Sequence, residues 1–244
     1  MPRFFVDPGA ISGGRAVLEG EDALHLSQAL RARAGEEVVI CDGCCNDFRC
    51  VIKSIEADRR QVRVRLNVLD KTVSLAEPTV DVTLFAGYAK GNKPDVIIQK
   101  AVELGVGSVV VFSSEHSVPQ TSDADKKLVR WNRIALEAAK QSGRGKIPDV
   151  TYCPDIGQLT ERLKGFEPVI FCYENGGTPI RDTLRGGLSR RVAVVTGPEG
   201  GFSQAESHIL VSCSTVTSLG RRILRCETAP LAVLAVIMYE TGNL

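Results

Sequence analysis

The chain has 244 residues, of which 43% are hydrophobic, and its mean hydropathy is near zero. That is enough apolar material for one large or two ordinary globular domains, and too much for a chain that is disordered throughout. Lysine and arginine number 30 against 29 acidic residues, a formal net charge of +1. No global field therefore advertises a polyanionic partner, and any binding of nucleic acid has to come from local basic patches.

Met1-Pro2-Arg3-Phe4-Phe5-Val6-Asp7 lacks the apolar core of a signal peptide, and no run has the length that spans a bilayer. The expectation is a cytoplasmic protein with no membrane partner. The longest apolar stretch, 229–239, carries Pro230 and reads as a buried helix. Of eight cysteines, Cys41, Cys44, Cys45 and Cys50 fall in one short segment, while Cys153, Cys172, Cys213 and Cys226 are scattered singly. A structural zinc site wants two separated pairs of ligands, so these read as small apolar residues in a reducing compartment and no metal is expected.

From Phe4 to about Leu69 the pattern is short strands and turns. Strand-like 38–41 and 49–55 flank the turn-rich Asp42-Gly43-Cys44-Cys45-Asn46-Asp47, and 61–66 alternates strictly. These predict the hairpins of a small antiparallel barrel, a fold that often binds nucleic acid. One helix interrupts them at about 21–32, with Leu24, Leu26, Ala29 and Leu30 as its inward stripe. Two readings stand for Arg31, Arg33, Arg59, Arg60, Arg63 and Arg65: contacts to phosphates, or a solvated strand face balanced by Glu36, Glu37, Glu56 and Asp58.

Residues 71–78 read as a connector ended by Pro78, which places a domain boundary there. Strand and helix then alternate. Strand 80–86, helix 94–104 with proline in its first turn and Gly105 after its end, and strand 108–112 make a βαβ unit, so its strands should be parallel. An amphipathic helix at 123–141 follows, with Leu128, Trp131, Ile134 and Leu136 turned to the core. Beyond it come a short strand near Val150, a helix at 156–163, strand 169–173 and a further helix at 178–184. The expected second domain is a parallel α/β sheet of five or six strands.

Two loops in its last part stand out. Thr196-Gly197-Pro198-Glu199-Gly200-Gly201-Phe202-Ser203 follows the apolar run 192–195, and Leu219-Gly220-Arg221-Arg222-Ile223-Leu224-Arg225-Cys226-Glu227-Thr228 follows strand-like 215–218. Both leave a sheet at the carboxyl ends of strands, where ligands of open α/β sheets bind. Ser203 with Glu206 forms a capping box, so a helix starts directly after the first loop. Neither phosphate fingerprint is present, and Pro198 removes a donor while Glu199 repels phosphate. A ligand with a cationic or neutral head and an adenine held by backbone groups fits better. Arg221, Arg222 and Arg225 beside Glu227 form an anion-facing or RNA-facing group, or else one arginine pairs with Glu227 and the rest are solvated. A non-catalytic RNA-binding protein and a nucleotide-binding or acyl-phosphate-binding enzyme are the competing classes.

The paired loops resemble those of the RsmE family of bacterial 16S rRNA uridine-N3 methyltransferases, in the SPOUT superfamily. The resemblance extends to Arg3-Phe4-Phe5, His25 with Leu30-Arg31, Lys90 and Lys93, the block 99–105, and 137–144 before Ile147-Pro148. Two departures occur: the family commonly has arginine at His116, and threonine or a smaller residue at Cys226. The resemblance implies a PUA-like RNA-binding β-barrel over residues 1–72 and a SPOUT methyltransferase domain over 78–244, with a parallel sheet and a C-terminal trefoil knot. It also implies a homodimer, S-adenosylmethionine as cofactor and 16S rRNA of the small ribosomal subunit as partner, or another RNA if the enzyme is a different member of the superfamily.

Carried over, cofactor contacts fall on Phe171, Cys172 and Tyr173, on Thr196, Gly197, Pro198, Glu199, Gly200 and Gly201, and on Leu219, Gly220, Arg222, Ile223 and Leu224. RNA contacts fall on Arg3, Arg31, Arg33, Lys90, Lys93, Lys100, Gln141, Arg144 and Arg221. Methylation at N3 requires a proton to leave and charge on the flanking carbonyl oxygens to be stabilised. Arg225 is expected in the second role, and Glu199 or Glu227 as base or orienter.

Overall fold

The computed structural model describes residues 1–58, 61–117 and 124–244; Arg59, Arg60 and Asp123 lie outside the described residues. The chain divides into two compact units, Met1–Glu77 with Ala139–Ile147, and Pro78–Ala138 with Pro148–Leu244.

In the first unit β1 (Arg3–Phe5), β2 (Ile11–Ser12) and β3 (Arg15–Leu18) precede a short helix α1 (Gly20–Leu24) that continues as a π turn, His25–Ala29; β4 (Glu37–Cys41), β5 (Asn46–Asp58) and β6 (Gln61–Val73) follow. They form a six-stranded sheet in the order β1-β4-β5-β6-β3-β2. The sheet is mixed rather than purely antiparallel, because β1 pairs with β4 in parallel. Inward residues at period two, including Ile40, Cys50, Ile52, Val64 and Leu66, join Phe4, Leu18 and Leu26 in one core. The β5–β6 pair is longer than the sequence suggested, so the strand still runs where a connector was expected to begin at Lys71.

The expected stripe of the first helix is corrected. Leu26 is buried, but Leu24, Ala29 and Leu30 are exposed, and Ala23 takes the inward place three residues before Leu26. The helix ends early and widens into a π turn, which breaks the spacing that would have aligned Leu30.

The segment 139–147 belongs with this unit through buried polar contacts. Glu77 accepts from Arg144 at 2.6 Å and from the backbone N–H of Gly145 at 2.9 Å and Lys146 at 3.2 Å. Lys140 reaches Asp22 at 2.8 Å, and the Cys45 N–H donates to the Gly145 carbonyl.

The second unit alternates β7 (Asp81–Gly87), α2 (Lys93–Glu103), β8 (Ser108–Phe112), α3 (Ala124–Gln141), β9 (Asp149–Cys153), α4 (Ile156–Leu163), β10 (Val169–Cys172), β11 (Thr178–Pro179), α5 (Ile180–Leu184), β12 (Arg191–Thr196), α6 (Gln204–Ser212), β13 (Thr215–Ser218) and α7 (Ala229–Glu240). α3 ends in residues that group with the first unit. The strands make a seven-stranded, all-parallel sheet in the order β11-β13-β10-β12-β7-β8-β9. The count exceeds the expected five or six because Thr178–Pro179, expected at the start of a helix, adds a two-residue strand beside β13. β10 is apolar throughout and β12 is apolar from Val192 to Val195, between the exposed Arg191 and the buried Thr196, as expected of strands covered on both faces. Trp131 is 3% exposed and packs on Tyr88, with ring centroids 6.2 Å apart.

All eight cysteines are free thiols. Among the described residues, no group of three or more His, Cys, Asp or Glu could hold a metal, and no helix is long and apolar enough to cross a membrane.

Candidate active site

The carboxyl ends of β10, β12 and β13 lie side by side, with Cys172 in register with Thr196 and Thr217. The loops that follow these strands wall a cavity of about 440 Å³ in the second unit. Its wall carries Cys172, Tyr173 and Glu174 from the first loop, Gly197, Pro198, Glu199 and Gly201 from the second, and 218–227 with Ala229 from the third, together with Lys93 at the start of α2.

Glycine is required here for two different reasons. A Cβ at Gly197 would stand 2.8 Å from the Phe202 ring, and one at Gly200 would stand 2.9 Å from Cβ of His116. Those two glycines allow close packing of the protein on itself, and Gly197 also lines the cavity. Gly220 differs, since its φ is +114° and a Cβ there would meet nothing within 4 Å. Around it, residues 219–225 run in backbone that belongs to no helix or strand. Gly220 exchanges hydrogen bonds with the Ser218 hydroxyl, and the Arg225 carbonyl accepts from the Thr228 and Ala229 N–H groups, so the backbone that can serve a ligand is that of Leu219 and 221–224.

The charges converge from distant parts of the chain. Glu199 accepts from the Lys93 ammonium at 2.8 Å and from the Lys90 backbone N–H at 3.0 Å. Lys93 also lies 3.8 Å from Glu227, whose carboxylate accepts from the Cys226 thiol at 3.2 Å. Partial burial works to raise the Glu199 carboxyl, but the hydrogen bonds from Lys93 and the Lys90 N–H overcome it and hold it below the ordinary carboxylate value. Glu227 is likewise held low, chiefly by the hydrogen bond from Cys226. Burial and that same bond push the Cys226 thiol up to about 12. Both carboxylates are thus ionised near neutrality, the form that orients a cation or accepts a proton, and the lowered values make them weak bases. Arg221, Arg222 and Arg225 are exposed along the third loop.

The other expected site residues divide sharply. Phe171 is fully buried beneath the wall, stacked on Tyr173 at 5.1 Å and edge-on to Phe202 at 5.2 Å. Thr196 is buried, and its hydroxyl has no protein partner. Gly200 contacts His116 Nδ1 through its carbonyl at 2.9 Å instead of facing the cavity.

Among the expected RNA contacts, Lys90, Arg31, Arg33 and Gln141 are exposed, and Arg31 has a left-handed φ of 51°. Lys100 pairs with Glu103 on α2 at 2.8 Å. Two are corrected. Arg144 is 3% exposed and held by Glu77, and Arg3 donates to Asp47 and to the Arg144 carbonyl, so both guanidinium groups are engaged within the first unit. Glu174, Ser218, Cys226 and Ala229 line the wall as well, and none of them was among the expected site residues. Glu174 and Ser218 could have been found by continuing each strand to its carboxyl end.

Residues 76–238 match the RNA methyltransferase domain family. The chain is 34% identical to the ribosomal RNA small subunit methyltransferase E of Bacillus subtilis over 235 residues, 92% of this chain and 90% of that protein. It belongs to this methyltransferase family. The Mycobacterium bovis member is 28% identical over 98% of this chain and 92% of its own length. The fold matches the crystal structure of the Neisseria gonorrhoeae member bound to S-adenosyl methionine, with a TM-score of 0.85, 29% identity and coverage of 98% and 97% of the two chains. A family of RNA methyltransferases and a cavity of loop backbone, apolar side chains and carboxylates at the strand ends are consistent with one another.

Proposed function

We propose that this chain methylates N3 of a uridine in 16S ribosomal RNA with S-adenosylmethionine as methyl donor. The observation that carries the reading is the convergence of three strand ends on one cavity whose wall combines loop backbone outside helix and strand, the open face of Gly220 and three carboxylates. The backbone and the carboxylates of this wall fit an adenosyl group and a cationic head, and they stand beside the cations Lys93, Arg221, Arg222 and Arg225. S-adenosylmethionine supplies an electrophilic methyl carbon on a sulfonium.

In this reading the loop 219–224 and the turn 197–201 hold the adenosyl part, with Cys172 and Tyr173 as apolar walls. Arg225 stabilises negative charge on the uracil carbonyl oxygens as N3 loses its proton, and Glu199 and Glu227 orient the reacting groups. Arg221, with Lys90 near the cavity mouth, meets the RNA backbone, and Arg31 and Arg33 contribute phosphate contacts from the first unit. A base reaches the cavity only when unstacked from its neighbours.

The finer architecture is part of the same proposal. Residues 1–72 form a PUA-like RNA-binding barrel and 78–244 a SPOUT domain whose C-terminal segment is threaded as a trefoil knot; the adjacency of β10, β12 and β13 supports this. The functional form is a cytoplasmic homodimer. α7 is apolar nearly all round, with Val233, Leu234, Ile237 and Met238 buried while Leu231, Ala235 and Val236 are only half-buried. A second copy would cover that face.

The test is incubation of the protein with labelled S-adenosylmethionine and small subunits lacking the modification, followed by mass spectrometry of the 16S rRNA. One N3-methyluridine is expected; no incorporation, or methylation at another atom, overturns the proposal.

A further inference from the structure

Lys93 occupies the first position of α2, where a cation meets the positive end of the helix dipole. Its ammonium instead answers two carboxylates from two different loops, Glu199 at 2.8 Å and Glu227 at 3.8 Å. All three groups line the cavity and are only partly exposed, at 29%, 32% and 27%. The other cations on that wall are the arginines of the third loop, which are exposed to solvent and screened by it.

We propose that Lys93 is a positioning residue that sets the charge of the cofactor cavity, pinning Glu199 and Glu227 together and leaving the pair with one net negative charge in place of two. This deepens the cofactor reading above and rests on it. Positive charge on sulfur is lost in the transition state as the carbon–sulfur bond breaks, its electron pair stays on sulfur, and carbon bonds to N3 while the N3 proton passes to solvent. Two uncompensated carboxylates would stabilise the cationic ground state more than the transition state and so slow transfer. Lys93 holds the cavity below that limit while keeping both carboxylates in place.

Calorimetry of the full chain with S-adenosylmethionine and with S-adenosylhomocysteine separates this role from a structural one, because the two ligands differ chiefly in the charge on sulfur. Lys93→Met should raise the preference for the sulfonium over the thioether by at least about threefold, and should lower both kcat and KM for the donor. Lys93→Arg should keep the wild-type preference. Adding Glu199→Gln to Lys93→Met restores the original charge and should return the ratio to its wild-type value. Equal weakening of both ligands in Lys93→Met, or a ratio that the double variant does not restore, overturns the role of Lys93. Failure of the wild-type chain to bind either ligand would overturn the cofactor reading itself.

Discussion

Arg225 is exposed on the wall of the cavity, one residue from the Cys226–Glu227 hydrogen bond. Its assigned work is on charge that develops only during transfer. Arg225→Ala should therefore lower single-turnover methylation about a hundredfold while leaving S-adenosylmethionine affinity in calorimetry nearly unchanged; normal turnover would sink the assignment. Glu77 provides a pH test away from the cavity. Burial works to raise its carboxyl, but the Arg144 guanidinium and the N–H groups of Gly145 and Lys146 outweigh burial and hold it below its ordinary value of 4.5. A carboxyl that is lower in the folded chain contributes stability that is present above the unfolded value and is lost as pH falls through the folded one. Glu77→Gln should thus be clearly destabilised at pH 7 in thermal melts, with the gap from wild type closing as pH falls below 4.5.

Among the elements, α6 is anchored by its first turn. Ser203 Oγ accepts from the Glu206 N–H at 3.4 Å, and Glu206 Oε2 accepts from the Ser203 N–H at 2.9 Å. Glu206 Oε1 also accepts from the Glu115 N–H at 2.8 Å, tying in the loop after β8. Ser203→Ala should cost about 1 kcal/mol in chemical denaturation, and Glu206→Ala should cost more, because it also strands the Glu115 donor. This helix was legible in sequence because a capping box is a local signal. β10 and β12 were legible for a similar reason, as short apolar runs bounded by turns. The π turn after α1 and the two-residue β11 were not legible, since neither has a length over which periodicity can accumulate. The contacts of the site were harder still. Lys93 reads locally as one more basic residue near a substrate, and its partner Glu199 is 106 positions away. The pairing of Arg144 with Glu77 was hidden in the same way.

For the molecule as a whole, two measurements bear on assembly and on RNA. Tyr239 is 70% exposed at the end of α7, beside the half-buried Val236. Light scattering should find a dimer for the wild type and a monomer for Val236→Glu; a wild-type monomer would remove the proposed homodimer. The net charge of +1 means that RNA affinity is not a bulk property of the chain. Replacing Arg31 and Arg33 together by alanine should lower the slope of log affinity against log salt by roughly 1.5, without changing donor binding.

The return of residues 139–147 to the first unit bears on how the chain is made. As synthesis passes Glu77, the first unit has its six strands but not the guanidinium and backbone donors that satisfy that carboxylate. A fragment ending at Glu77 would hold it without them, so such a fragment should fold poorly. On the ribosome the amino-terminal unit cannot be completed in isolation: it waits until β7, α2, β8 and α3 of the other unit have emerged. The order of translation thus couples the maturation of two units that the sequence presents as consecutive.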